Sequence, residues 1–148
     1  CEPLGTQALV VDKIRVFFNH PGFVTPMARH VRAALEKIPP EARGTAPVLF
    51  TAHSIPMSMA ETSKYVPQLQ ESCRLVAEEA GVTNWKLVYQ SRSGPPSQPW
   101  LEPDIGDEIR SQHANGIRSL VIAPIGFISD HMEVLYDLDT EARDLCGQ

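Results

Sequence analysis

The chain has 148 residues, enough for one domain with a hydrophobic core, and its 43% hydrophobic and 21% charged residues are typical of a globular protein. Its formal net charge of −5 argues against a nucleic-acid partner, because phosphate binding needs a basic surface. No apolar run is long enough for a transmembrane segment, and no charged-then-apolar N-terminal stretch indicates export.

Three cysteines lie far apart in the sequence and form no CxxC pair: Cys1, Cys73 and Cys146. Their odd number and wide spacing predict neither a disulfide framework nor a structural zinc site, and a reducing, cytoplasmic location is the simplest one. The chain begins with Cys1 rather than Met and ends directly after a helical pattern. We therefore expect it to be part of a longer protein.

Strand and helix patterns alternate along the chain, which is typical of an α/β domain with a parallel sheet. Residues 13–18 are predicted as the first strand. The first helix is predicted to start with Thr25 as its N-cap and Pro26 in its first position, and Pro39 ends it. Its apolar stripe consists of Met27, Val31, Leu35 and Ile38.

The rest of the chain continues this alternation. The predicted elements are a strand at 46–52, a helix at 65–80, a strand at 85–90, a helix after Pro103 that ends at Asn115, a strand at 118–123 and a helix at 130–145. Together they predict one domain over residues 1–148, a four-stranded parallel sheet with helices on both faces.

Four loops are predicted at the carboxyl edge of this sheet, at 19–23, 53–56, 91–101 and 124–131. Open parallel sheets bind their ligands at that edge, and loops held by a rigid sheet commonly carry function. These loops are also the richest parts of the chain in histidine, proline, glycine and aromatic residues. We therefore expect the functional site there.

His53 immediately follows the apolar strand at 46–52, so a rigid element would hold its imidazole at the edge of the pocket. A histidine in this place could be functional. It could equally be a structural residue that bonds the nearby backbone.

Three acids follow at intervals of four residues on the last predicted helix: Glu133, Asp137 and Glu141. Successive members would lie about 6 Å apart along the axis, on one face. Like charges at this spacing destabilise a helix by a few tenths of a kcal/mol, roughly, and the helix dipole favours acids only in the first turn. The row therefore suggests a bound cation, and the alternative is a solvated acidic face.

The same helix has a predicted core-facing stripe, made of Leu135, Leu138, Ala142 and Leu145. Ser129 or Asp130 is its predicted N-cap. Asp130 with Glu133 resembles a capping box, and a Glu133 carboxylate used in that way would not be free for a ligand.

Trp100 lies in a proline-rich loop, where it could form a wall for a flat aromatic ligand or could simply close the core. The familiar GxGxxG, Walker A, GxSxG and HExxH patterns are absent. Ser54 beside His53 does not indicate a catalytic triad, because adjacent side chains on an extended chain point in opposite directions.

Four segments of the sequence resemble the ferrochelatase family: 18–23, 52–56, 89–105 and 124–141. The resemblance spans nearly the whole chain, in the family's order. It implies a chelatase-like lobe, one of two similar lobes, with the N-terminal lobe and the extreme C-terminus absent. It also implies insertion of Fe2+, as substrate, into coproporphyrin III or protoporphyrin IX in haem biosynthesis.

The resemblance further implies the roles of individual residues. His53 and Glu133 would be catalytic, with His53 as metal ligand and proton acceptor, since a neutral imidazole suits both tasks. The implied metal ligands are His53, Glu133, Asp137 and Glu141. The implied porphyrin contacts are Ser54, Ser91, Trp100 and Ile125.

The outer pair, Asp137 and Glu141, could deliver iron, release protons or hold Mg2+ or another divalent ion. Some family members carry an iron–sulfur cluster on a cysteine-containing extension that this chain lacks, so we expect no cluster in it. Two alternatives remain open: a cobalt or nickel chelatase of another tetrapyrrole pathway, and a non-catalytic lobe that needs a partner chain.

Overall fold

The computed structural model describes residues 11–95 and 97–147, so Cys1 and Pro96, a member of the predicted 91–101 loop, lie outside the described residues. Within this part of the chain, three parallel strands form one sheet: β1 (Val48–His53), β2 (Trp85–Gln90) and β3 (Val121–Ala123). The strand order is β2–β1–β3. Val48 of β1 lies opposite both Trp85 and Val121.

The helices follow in chain order as α1 (Pro21–Glu36), α2 (Pro40–Arg43), α3 (Met57–Glu61), α4 (Tyr65–Ala80), α5 (Ile105–Ala114), α6 (Met132–Tyr136) and α7 (Arg143–Cys146), with a π-helical segment, Asp137–Ala142, between the last two. The predicted α/β fold with a parallel sheet is therefore confirmed. No helix in residues 11–95 and 97–147 combines the length and the apolar character needed to cross a membrane.

The prediction of a fourth strand at 13–18 is wrong. Residues 11–17 form neither helix nor strand, and Val11 and Ile14 are 77% and 92% exposed. A strand needs a hydrogen-bonding neighbour as well as a suitable pattern. The Phe17 carbonyl instead accepts from the His20 N–H (2.8 Å), in the turn that leads into α1.

The first helix begins four residues earlier than the predicted N-cap, Thr25. Pro21 occupies its first position and His20 is the N-cap, with its Nδ1 accepting from the Gly22 N–H (3.0 Å). Pro26, predicted to open the helix, lies inside it. Pro21 and Pro26 would each suit the first position of a helix. The helix begins at Pro21 because His20 supplies the N-cap hydrogen bond there.

Helices cover both faces of the sheet, as the alternation predicted. On one face, Val48 and Phe50 pack against α1 and α4, where Val31 and Val76 are buried. On the other face, inward residues of the strands pack against α5 and the C-terminal helical run; they include Leu49, Val88, Ile109, Val134 and Leu138. Alternate residues of β1 therefore pack into the two hydrophobic cores on opposite faces of the sheet.

The C-terminal helical run differs from its prediction in two respects. It begins at Met132 with His131, not Ser129 or Asp130, as the N-cap. Leu135, predicted to face the core, is 42% exposed, and the buried line consists of Val134, Leu138 and Ala142. The π-helical turn contributes to the alignment, because its wider turn with i→i+5 hydrogen bonds offsets the drift of residues four apart in the α-helical turn before it.

Candidate active site

The carboxyl ends of β1 and β2 place two polar residues side by side. His53 ends β1, Gln90 ends β2, and the two are opposite each other in the sheet register. β1 is the central strand, so loops from both neighbouring strands can reach His53. This is the edge at which the sequence predicted a site.

The loop after β3 lies directly on β1. The Gly126 N–H donates to the Thr51 carbonyl (3.0 Å), and a Cβ at Gly126 would lie 2.7 Å from that of Ala52. Only a glycine allows this close approach without displacement. Ile125, a predicted porphyrin contact, is 3% exposed here and belongs to the core.

The structure brings His53 and Glu133 together. Nε2 of His53 lies 3.9 Å from Oε2 of Glu133, with the side chains 34% and 57% exposed. Nδ1 of His53 bonds the Ser54 carbonyl, which can only accept, so Nδ1 carries the proton of the neutral ring. Nε2 keeps its lone pair and faces the carboxylate.

The surroundings of His53 fix its backbone. Tyr65 Oη donates to the His53 carbonyl (2.9 Å), and burial raises the pKa of the Tyr65 phenol, which keeps it a donor. The Ser54 N–H donates to the Gln90 carbonyl (2.8 Å). Ser54 is 2% exposed, and its hydroxyl donates to the Leu101 carbonyl (3.0 Å). Ser54 therefore ties β1 to the 91–101 loop.

Glu133 is not used in a capping box. It lies in the first turn of α6, and the N-cap residue, His131, makes no side-chain capping bond. Within the described part of the chain, His53 is the only side chain that pairs with the Glu133 carboxylate. The carboxylate is therefore available to a ligand.

Asp137 lies one turn further along the helix and has two partners on the neighbouring strand and loop. Gln90 Nε2 donates to Asp137 Oδ2 (3.2 Å), and the Ser91 hydroxyl donates to the same oxygen. Ser91 has φ +63°, a left-handed backbone conformation that few non-glycine residues adopt. This strained residue therefore joins the end of β2 to the acidic row.

Glu141, the last acid of the row, is exposed. It lines a cavity of about 680 Å³ together with Asp137, and Arg92 and Arg110 also line this cavity. Among residues 11–95 and 97–147, no group of three or more His, Cys, Asp or Glu side chains is arranged to hold one metal ion. The four predicted ligands thus form a row from His53 to Glu141, not one cluster.

Gln90 is a site residue that the sequence analysis missed. It is 1% exposed, its Nε2 bonds Asp137, and its Oε1 has no hydrogen-bond partner among the described residues. Buried amides usually satisfy both ends, so this one is unusual. The sequence did contain one indication of its role, because Gln90 is the last residue of the strand predicted at 85–90 and so lies at the carboxyl edge of the sheet.

The 91–101 loop is fastened to the segment that follows His53. The Leu101 N–H donates to the Ile55 carbonyl and the Met57 N–H donates to the Pro99 carbonyl, both at 3.0 Å. These bonds pair Pro56 with Trp100 in an isolated antiparallel bridge. Trp100 is half-buried beside the candidate site rather than enclosed in the core.

Large apolar side chains are exposed on the elements that carry the site. Met59 lies on α3, Ile128 in the loop after β3, and Met132 and Tyr136 on α6, with exposures from 56% to 77%. Exposed apolar groups on the elements that also hold a polar pair are typical of a binding surface. The arrangement could bind a flat apolar ligand while His53 and Glu133 act on its polar centre.

Comparisons with known proteins agree with this picture. The family model described as Ferrochelatase matches residues 3–148. The chain is 58% identical to the ferrochelatase of Rhodopirellula baltica, over 99% of the chain and 42% of that relative. It is 49% identical to the coproporphyrin III ferrochelatase of Streptomyces griseus, over 95% of the chain and again 42% of the relative. The corresponding protein of Corynebacterium glutamicum is 45% identical, over 93% and 39%.

Proposed function

Because this chain belongs to the ferrochelatase family, we propose that it supplies the metal-inserting side of an enzyme that places Fe2+ into a porphyrin for haem biosynthesis. The observation that carries the proposal is the His53–Glu133 pair, 3.9 Å apart at the carboxyl edge of the sheet. The chain spans 42% of the length of the first two relatives. We therefore assign it to one lobe of a two-lobed protein.

Insertion removes two pyrrole N–H protons and replaces the water around Fe2+ with four porphyrin nitrogens. Nε2 of His53 has a free lone pair, so it can accept a pyrrole proton or ligate the incoming iron. Glu133 is the adjacent base that takes the proton onward. Asp137 and Glu141 continue the carboxylate row toward an open cavity, which gives ions and protons a polar route.

The porphyrin would lie against the exposed apolar surface. Trp100 and Ser91 are the proposed direct contacts from the 91–101 loop, because both lie at the carboxyl edge near His53. Ser54 and Ile125 are buried, so we propose that they support this wall through the backbone segments they hold in place. An apolar wall with a few polar groups at its centre suits a macrocycle.

A divalent cation such as Mg2+ is proposed at the outer acids. Asp137 and Glu141 offer carboxylate oxygens, and Gln90 lines the same cavity. Oxygen donors of this kind fit Mg2+. When bound, the ion would lower the negative charge of the row. A reducing cytoplasm remains the proposed compartment, since Cys73 and Cys146 are both free thiols.

Coproporphyrin III is the favoured substrate, because the relatives from Streptomyces griseus and Corynebacterium glutamicum carry that name. The test is an iron-insertion assay of the full-length protein with coproporphyrin III and protoporphyrin IX in parallel, repeated with Co2+ and Ni2+. A higher kcat/KM for Fe2+ and coproporphyrin III supports the proposal. Insertion of cobalt or nickel into a different tetrapyrrole, without iron activity, contradicts it.

A second candidate function is a lobe that binds porphyrin or metal but works only beside a partner. Two observations favour it for the 148 residues by themselves: the partial coverage of the relatives and the exposed apolar side chains around the site. Size-exclusion chromatography with porphyrin and with the complementary lobe distinguishes the candidates. Turnover by the 148-residue chain without a partner would exclude this second candidate.

A further inference from the structure

Gly94 lies directly against the edge of the Trp100 indole. A Cβ on Gly94 would lie 2.2 Å from Nε1 of Trp100 and 2.6 Å from its Cε2 and Cζ2. Gly94 is not among the glycines with a positive φ. The restriction at this position is therefore the contact with the ring and not the backbone conformation.

The main chain of Trp100 is fixed, while its ring is held by packing. The bonds from Leu101 to Ile55 and from Met57 to Pro99 fix the backbone on either side of Trp100. The indole N–H is buried and donates no hydrogen bond to the described residues. An unpaired donor gives the ring no polar anchor, so the surface against its edge determines where it lies.

Gly126 provides a contrast. A Cβ there would meet the main chain and Cβ of Ala52, in the buried central strand. A buried strand cannot move aside, so a substitution at Gly126 would disturb the fold. The neighbour of Gly94 is instead a half-buried side chain with two rotatable bonds, which can turn away.

We propose that Gly94 is a positioning residue. It determines the orientation of the Trp100 indole and, through that orientation, the space available to the porphyrin. The proposal rests on the function proposed above, in which Trp100 contacts the macrocycle. A methyl group at Gly94 would turn the indole toward or away from the substrate without touching His53 or Glu133. Substrate recognition should therefore change more than the insertion chemistry.

The contact itself can be tested in the 148-residue chain. In a Trp85→Phe background, Trp100 is the sole tryptophan, and its emission spectrum reports its surroundings. Gly94→Ala should shift this emission, whereas Gly44→Ala, at a position with no atom within 4 Å of the added Cβ, should leave it unchanged. An unchanged spectrum for Gly94→Ala overturns the proposal.

The functional consequence is tested by kinetics of the full-length protein. Gly94→Ala should raise the KM for porphyrin by about tenfold, the effect of about one methylene in a binding pocket, with a smaller change in kcat. In a Trp100→Phe background the smaller ring leaves room for the methyl group, so Gly94→Ala should then have little further effect. Circular dichroism melts confirm that each variant is folded.

The outcomes separate this inference from the proposed function. An unchanged KM, a loss confined to kcat, or an equal effect of Gly94→Ala with and without Trp100 overturns the positioning role. A wild-type full-length protein that neither binds porphyrin nor inserts iron contradicts the proposed function instead. In that case the emission experiment still shows whether Gly94 determines the orientation of the Trp100 indole.

Discussion

The chemistry assigned to His53 depends on which ring nitrogen carries the proton. The Ser54 carbonyl accepts a hydrogen bond from Nδ1, so the proton of the neutral ring is on Nδ1 and Nε2 is the basic nitrogen that faces Glu133. A hydrogen bond of this kind also orients a metal-binding imidazole and makes it a better ligand. Both proposed roles of His53 thus use the same nitrogen.

Replacing His53 with alanine should therefore remove the proton acceptor and the iron ligand together. Iron insertion by the full-length protein should fall by about a hundredfold or more, as expected for loss of a general base. His113→Ala is a matched control, because His113 is exposed on α5. Near-normal turnover of a folded His53→Ala variant would refute the assignment.

Glu133 and Asp137 should differ in their importance. Glu133 faces His53, whereas Asp137 lies further along the row and its Oδ2 already accepts hydrogen bonds from Gln90 and Ser91. We expect Glu133→Gln to lose about a hundredfold in kcat and Asp137→Ala to lose about tenfold or less. Steady-state kinetics of the two variants check this, and equal losses would contradict the separate roles proposed for the two acids.

The sequence predicted His53 and Glu133 at one edge of the sheet, and the structure places them 3.9 Å apart, but their other partners were not predicted. His53 follows an apolar strand and Glu133 opens a helix after a loop, so local patterns place both at one edge. The Gln90–Asp137 bond joins residues 47 positions apart, and its direction depends on how β2 and the last helix pack. Such a contact depends on tertiary structure, and no local pattern encodes it.

The C-terminal helical run carries the acidic row because its turn is widened. In a regular helix, 3.6 residues per turn would let positions four apart drift around the axis. The π-helical segment keeps Glu133, Asp137 and Glu141 aligned beside the buried line through Leu138. The spacing of the acids was predictable, while the π turn and the exposure of Leu135 were not.

Strand prediction succeeded where burial and pairing agreed. Trp85–Gln90 forms over the predicted residues, since its apolar side chains pack on both faces and β1 supplies its neighbour. Residues 11–17 have a comparable pattern but no partner strand within the described chain. A sequence pattern indicates which side chains could be buried. It does not show whether another strand lies alongside to form the backbone hydrogen bonds.

An ion pair between β2 and α5 gives the fold a pH dependence. Nζ of Lys86 lies 2.6 Å from Oε2 of Glu108, whose side chain is 5% exposed. Burial alone would raise the pKa of Glu108, but hydrogen bonds from Lys86 and Gln112 and the charge of Lys86 together lower it. A carboxyl group whose pKa is lower in the folded than in the unfolded chain stabilises the fold at pH values above its unfolded-state pKa. This contribution is lost as pH falls through the folded-state pKa.

Lys86→Met should therefore leave a buried carboxylate without its cation. The loss at neutral pH should be about 1–3 kcal/mol, the cost of an unpaired buried polar group, and it should shrink as pH falls, because acid protonates the uncompensated Glu108 in the variant and breaks the ion pair in the wild type. Urea melts at several pH values measure both effects. Arg74→Met, in the exposed Glu71–Arg74–Glu78 network, is the control and should change little. A pH profile identical to the wild type would contradict the assignment.

At the scale of the whole molecule, large apolar side chains are exposed in two parts of the described chain. Ile128 and Met132 are more than three-quarters exposed beside the site, and Val11 and Ile14 are exposed on the segment before α1. Burial of such side chains contributes roughly 1.5–3 kcal/mol each, so leaving them in water is unfavourable. A porphyrin and a second lobe are the proposed partners of these two surfaces.

The complementary part of a relative should therefore restore a complete cleft. The 148-residue chain alone should insert iron slowly or not at all, because we propose that the other wall of the cleft comes from outside the 42% of the relative that this chain matches. Co-expression with the portion of the Rhodopirellula baltica ferrochelatase that lies outside the 42% match should give a complex on size-exclusion chromatography and a measurable insertion rate. The same mixture with His53→Ala in this chain should form the complex without the activity, which assigns the chemistry to this lobe. A complex that is inactive with the wild-type chain, or equally active with the variant, would show that the two halves do not divide the reaction in this way.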